Sequence, residues 1–143
     1  MIDIEINKIR DILEEYDFII NALLFGSYSN GKADRFSDVD IAIEVTETID
    51  LLTMGEIISR LEIEVERKTD LVIINDLHKK SPLLAFNIYK NHKRLFIKDQ
   101  KRYDDFKEKA LHFYLDFKRV LDEQNRMFLK RVESGNIGKI KTA

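Results

Sequence analysis

The residues from Phe25 to Glu44, FGSYSNGKADRFSDVDIAIE, constrain this chain more than any other stretch. A Gly-Ser pair ends one apolar run and an Asp-x-Asp pair opens the next, with ten residues between Ser27 and Asp38. Ile19 to Phe25 has the length and apolarity of a strand, and Gly26 stops it. A glycine there allows positive φ or close approach of the backbone to a ligand. Ser27 adds a hydroxyl beside exposed backbone amides, a receiver for phosphate oxygens. Ser29, Asn30 and Gly31 prolong a turn-rich loop with room for one helical turn, and Lys32 and Arg35 make it positive. Taken alone, a Gly-Ser turn is equally a plain surface connection.

The second half of the stretch carries more. Val39 to Val45 alternates as a strand does, and residues two apart on a strand share a face. Asp38 and Asp40 therefore stand side by side, roughly 6–7 Å apart at Cα. Paired carboxylates repel unless a cation or a shared proton intervenes. They are either two solvated acids at a strand edge or the ligands of a divalent metal such as Mg²⁺, which takes one or two carboxylates and completes its shell with water and phosphate. Asp70 opens another β-branched run, Thr69 to Asn75, and a strand placed beside the first would bring a third carboxylate to the pair. Three carboxylates can hold two metal ions about 3.5–4 Å apart for in-line phosphoryl chemistry. The alternative is an exposed acid at the start of a strand.

This pattern resembles the signature of the minimal nucleotidyltransferases (MNT) of the DNA polymerase beta superfamily, over about residues 18 to 75. The resemblance implies a small α/β (α+β) fold, a mixed sheet flanked by helices. It also implies that Gly26 and Ser27 hold a nucleoside triphosphate and that Asp38 and Asp40 bind both of two Mg²⁺ ions. Asp70 would bind the catalytic metal and help activate the attacking hydroxyl. Relatives often carry an arginine where this chain has Asn30, which leaves Lys32 or Arg35 as the triphosphate contacts.

Two competing motifs fail on physical grounds. Residues 26 to 32 match the first seven positions of a phosphate-binding P-loop, but the eighth is Ala33, without the metal-binding hydroxyl, and a strand follows instead of a long helix. A calcium-binding EF-hand loop would need glycine and further oxygen ligands where Ile41, Ala42 and Ile43 stand.

The length, 143 residues, suits one domain with a real core. Absence of cysteine excludes disulfides, thiol catalysis and cysteine-based zinc sites. A net charge of −2 gives no broad basic surface for nucleic acid, so direct nucleic-acid binding is not expected. No leader-like or membrane-spanning run is visible, and the cytoplasm is the expected compartment.

Along the chain, Ile2, Ile6, Ile9, Ile12, Leu13 and Tyr16 predict an amphipathic helix from Ile2 to Tyr16, before the first strand. Thr48-Ile49-Asp50 predicts a helix start, with Leu51, Leu52, Ile57, Ile58, Leu61 and Val65 as its buried stripe to about Arg67. Met54 and Gly55 read as packing features of that helix. Ser81-Pro82 opens another helix, to Lys90 or Asn91, and Lys93 to Lys98 reads as a last short strand. Lys101 to Glu133 is one long helix with an aromatic-rich stripe through Tyr103, Phe106, Ala110, Phe113 or Tyr114, Phe117, Val120, Leu121, Phe128 and Val132. At ~50 Å it outreaches a small core, so part of the stripe should meet another chain; the alternative is a helix that curls wholly over its own core. The expected division is a nucleotidyltransferase core over 1–100, the helix over 101–134, and a loose tail over 135–143. His78, His92 and His112 show no ligand spacing and read as surface or boundary residues. Tyr28 reads either as an exposed loop residue or as a base-stacking one.

By the resemblance, stand-alone MNT proteins of this size act as antitoxins of HEPN ribonucleases and transfer AMP from ATP to a tyrosine of the toxin. The expected function is therefore a Mg²⁺-dependent protein adenylyltransferase with a HEPN partner bound through the long helix and the active-site face. The alternatives are an antitoxin that only occludes its partner, or a transferase acting on a small molecule of the antibiotic type. The HEPN role itself is not expected, because no arginine precedes any histidine with four to six residues between them.

Overall fold

The strand Val39–Val45 (β2) is the centre of a computed structural model that describes residues 5–34 and 37–135. It pairs antiparallel with Ile19–Phe25 (β1) and parallel with Thr69–Ile73 (β3), while His92–Ile97 (β4) pairs antiparallel with the other side of β1. The sheet order is β3-β2-β1-β4, so it is mixed. The parallel pair requires a crossover, and the helix Leu51–Val65 (α2) supplies it.

Alternation along β2 decides which layer each side chain joins. Val39, Ile41 and Ile43 face one side and pack with Ala22 and Leu24 against α2 and the first helix, Ile6–Glu14 (α1). Ala42 faces the other side and joins Leu23 and Ile74 under Leu77–Lys80 (α3), Pro82–Lys90 (α4) and the start of Gln100–Glu133 (α5). Helices thus cover both faces, which is why the strands read as near-continuous apolar runs.

Local chemistry sets the helix ends. The Asp50 carboxylate caps α2 by accepting from the Thr53 amide at 2.7 Å, and Asp99 caps α5 by accepting from the Arg102 amide at 3.1 Å. Pro82 stands at the first position of α4, where its missing N–H costs nothing. The stripe expected on α2 is narrower than its sequence suggests. Leu51 and Leu52 are 82% and 87% exposed, because the first turn of α2 overhangs the sheet, and burial begins at Ile57.

The long helix divides in two. Tyr103, Phe106 and Ala110 are buried on the sheet, and Tyr114 stacks on Phe86 of α4 with ring centroids 3.8 Å apart. Beyond that turn the apolar residues Phe117, Val120, Leu121, Phe128 and Val132 are exposed. Among the described residues no helix is long and apolar enough to cross a membrane.

Candidate active site

The register of three strands builds the site. Phe25 is opposite Asp40 across the antiparallel pair, and Asp40 is opposite Asp70 across the parallel pair. Gly26, Asp40 and Asp70 therefore form a row across one end of the sheet, with Asp38 two residues ahead of Asp40. Alternation puts these carboxylates on the α4/α5 face.

Gly26 is required on two counts. Its φ is +72°, a region that side-chain-bearing residues rarely adopt, and a Cβ there would lie 2.2 Å from Asp40 Oδ2. The turn Gly26–Tyr28 thus closes directly against a carboxylate. Ser29 holds the turn, its hydroxyl donating to the Gly26 carbonyl at 2.8 Å and its amide to the same oxygen at 3.0 Å. The Lys32 amide donates to the Ser27 carbonyl at 3.2 Å; Ser27 is half-buried and Lys32 exposed. Arg35 lies outside the described residues. Tyr28 is neither exposed nor placed to stack on a base: it is buried in the α1/α2 core, and its hydroxyl has no partner among the described residues.

The electrostatics are one-sided. Burial, then the charges of Asp70 and Asp38, and finally a hydrogen bond with Asp70 push the Asp40 carboxyl up to about 6. Every one of these influences opposes ionisation, so the site has an unmet demand for positive charge. Asp70, opposite Asp40 in the parallel register, and Asp38 both act on Asp40 through their charge. Among the described residues, no three acidic or histidine side chains converge as a ready-made metal cluster. The donor set nevertheless suits a hard cation delivered with a phosphate, since Mg²⁺ needs only one or two carboxylates from the protein.

A family model described as polymerase beta, nucleotidyltransferase, matches residues 7–101, from α1 to the start of α5. The chain belongs to this family. It is 33% identical over 91 residues to the protein adenylyltransferase MntA of Shewanella oneidensis, an overlap of 64% of this chain and 61% of that protein. The overlap thus spans less than two thirds of that relative. Two solved structures extend the likeness beyond the family match into the long helix. One is a toxin–antitoxin crystal structure with AMP-PNP, with a TM-score of 0.66 and 25% identity over 90% of this chain and 98% of that one. The other is a tri-AMPylated Shewanella oneidensis HEPN toxin in complex with MNT antitoxin, with a TM-score of 0.63 and 25% identity over 90% and 95%.

The histidines divide differently from expectation. His112 is exposed, 3.9 Å from Glu108. His92 sits at a boundary, its Nδ1–H donating to the Ile88 carbonyl at 2.7 Å while Nε2 accepts from the Tyr103 hydroxyl at 2.7 Å in the neutral tautomer. His78, expected at the surface or a boundary, is only 3% exposed, because α3 is a single turn pressed beneath α5, with the ring edge-on to Phe113. Sequence reading also missed Asn21, which is fully buried within an apolar strand. Its side-chain oxygen accepts from the Lys98 and Asp99 amides at 3.0 and 3.1 Å, and its amide donates to Glu44 at 2.9 Å and the Asp99 carbonyl at 3.1 Å. A polar residue in an otherwise apolar strand was the available signal.

Proposed function

We propose that this protein is an antitoxin that transfers AMP from ATP to a tyrosine hydroxyl of a HEPN-type ribonuclease. The observation that carries this reading is the row Gly26–Asp40–Asp70, in which a tight glycine turn adjoins paired carboxylates that lack positive charge. Its membership in the nucleotidyltransferase family, and its likeness to a protein adenylyltransferase and to the MNT partner of an AMPylated toxin, support the choice of reaction and partner. The AMP-PNP in the related toxin–antitoxin structure supports ATP as the donor.

In this reading Gly26 and Ser27 receive the triphosphate on backbone amides and a hydroxyl, with Lys32 and Arg35 adding charge at the loop. Asp38, Asp40 and Asp70 would hold two Mg²⁺ ions, which would neutralise phosphate charge and polarise the α-phosphorus. Asp70 takes the proton of the acceptor hydroxyl as its oxygen attacks the α-phosphorus. The new P–O bond forms to the acceptor, the α–β phosphoanhydride bond breaks, and pyrophosphate leaves. Most of the acceleration comes from holding the two substrates in line. Residues 1–100 act as the catalytic unit, while 101–134 present the exposed half of α5 to the toxin; of the tail 135–143, residues 136–143 lie outside the described residues. The pair works in the cytoplasm, where ATP is available, and direct nucleic-acid binding by this chain plays no part.

The exposed apolar half of α5 favours one second reading, an antitoxin that neutralises by occlusion while the nucleotide site stays idle. One experiment separates the two. The protein is incubated with a small helical partner bearing an arginine and a histidine separated by four to six residues, together with Mg²⁺ and ATP, and both chains are weighed intact. A gain of one or more AMP units on the partner, absent with Asp38→Ala/Asp40→Ala, supports transfer. Stable complex and blocked ribonuclease without a mass gain overturns it in favour of occlusion.

A further inference from the structure

The row of acids ends on a strand whose outer side is bare. β3 is an edge of the sheet, and β2 bonds only alternate residues of that segment. The Lys68 carbonyl accepts from the Val39 amide at 2.8 Å, and the Ile74 amide donates to the Ile43 carbonyl at 2.9 Å. Even-numbered residues from 68 to 74 therefore turn their backbone groups inwards, and Thr69, Leu71 and Ile73 turn theirs outwards. The Thr69 amide is taken by the Glu62 carboxylate at 3.0 Å. The amides and carbonyls of Leu71 and Ile73 have no partner among the described residues. The opposite edge is treated differently. β4 carries the exposed Lys93 and Arg94, and its Leu95 carbonyl accepts from Arg10 Nε at 2.7 Å. Charged side chains and covered backbone are how a sheet keeps other strands off its edge. From Thr69 to Ile73 there is no lysine, arginine or proline.

Beside the bare edge lies an apolar shelf. The hydrogen bond from Thr69 to Glu62 fixes which flank of α2 adjoins β3, while Arg60 and Glu64 on the other flank reach Glu15 and Lys8. Ile58, Met54 and Leu51 share the Glu62 flank at helical spacing. Leu51 is exposed, Met54 and Ile58 are half-buried, and none of the three belongs to either core cluster. Backbone groups that need a strand and apolar side chains that need a cover thus stand next to each other.

We propose that β3 accepts a fifth strand, an extended segment of the protein that carries the acceptor hydroxyl. The choice of occupant rests on the transfer reading above; the edge and the shelf do not. Position favours this segment, because Asp70 is on β3 itself and is exposed. A residue opposite Asp70 on an added strand shares its face of the sheet, with Cβ atoms about 4.5–5.5 Å apart. Its neighbours at odd offsets lie on the α2 face, where Leu71 and Ile73 pack. Apolar side chains at those offsets cover Leu51, Met54 and Ile58, while backbone pairing supplies affinity at Leu71 and Ile73. The segment is therefore a hydroxyl-bearing residue in an extended run with apolar residues at odd offsets from it.

The test uses the full chain, isotope-labelled, with the peptide acetyl-Lys-Val-Thr-Ile-Tyr-Ile-Thr-Val-Lys-amide as the probe. Hydrogen exchange at the Leu71 and Ile73 amides should slow ~tenfold or more in its presence. Methylating alternate peptide nitrogens should act by parity, one set abolishing binding and the other being tolerated, since only alternate residues of an edge pair face β3. Ile58→Lys should weaken binding at least ~fivefold by removing part of the shelf, and Leu52→Lys, off the Glu62 flank, should leave it unchanged; unchanged circular dichroism shows that both variants fold. No slowing at the two amides overturns the proposal, and so does equal sensitivity to both methylated sets. Slowing that is already present in the free chain and grows with its concentration assigns the edge to a second copy and overturns the substrate segment. AMP transfer to the peptide with Mg²⁺ and ATP is scored separately by mass. A peptide that protects both amides and gains no AMP upholds the added strand and counts against the transfer reading alone.

Discussion

The two ends of β2 carry the same kind of side chain on the same face and treat it in opposite ways. Asp38, Asp40, Ala42 and Glu44 follow one another at two-residue spacing, so all four lie on the α4/α5 side of the sheet. At the near end Asp40 meets Asp70 and Asp38, with no base among the influences on it. At the far end Glu44 is more deeply buried, yet Asn21 donates to it and the charge of Arg102 offsets part of its burial. One end stores repulsion that a charged ligand can relieve; at the other, partners within the fold offset part of the burial.

Gly26→Ala should sharpen this contrast most. The added Cβ collides with Asp40 and the backbone must hold an unfavourable φ, so AMP transfer should fall at least ~100-fold by mass-spectrometric assay. A variant that keeps more than a tenth of the wild-type rate would remove the glycine turn from the reaction. Asn21→Ala attacks the compensated end. It strands Glu44 and frees two amides, so urea denaturation should report a loss of about 3 kcal/mol or more. A loss below ~1 kcal/mol would mean that the far end is not held in the way described.

Asp40→Asn should do the reverse of Asn21→Ala. Removing one of three clustered acids relieves repulsion, and the metal-free protein should gain about 1 kcal/mol while transfer activity collapses. Equal or lower stability would mean that the near end is not strained.

The smallest effect concerns pH. Burial raises the Glu44 carboxyl above its ordinary value of 4.5, so the folded state binds more protons than the unfolded state as this group titrates. Its contribution to stability is therefore greatest in acid and declines as pH rises above that value. Thermal unfolding of Glu44→Gln across pH 4 to 7 should lack that part of the decline. Parallel curves for wild type and variant would break the argument.

Much of the near end was legible because its parts are close in sequence. Gly26, Ser27, Asp38 and Asp40 fall within a single stretch, and strand alternation alone sets two of the carboxylates side by side. Asp70 is thirty residues further on, and only the parallel register of β3 against β2 sets it opposite Asp40. The far end was illegible for the same reason. Asn21, Glu44, His78 and Arg102 belong to four separate elements, and no spacing announces that they meet. Tyr28 and His78 were misread because the environment of a loop residue, or of a one-turn helix, depends on what packs over it. Leu51 and Leu52 fit a helical stripe, yet the sheet ends before it can cover them.

By itself the sequence determined the four strands and the longer helices, the glycine at the loop, the acid pair and the excess length of α5, but not the single-turn helix α3. These rest on periodicity, steric limits and reach, which act within a few residues. Tertiary structure alone decided that Asp40 stands opposite Asp70, that Glu44 and His78 line one cavity, and that α5 leaves its core near Tyr114. Each depends on contacts between distant segments, and those are set by how the layers pack.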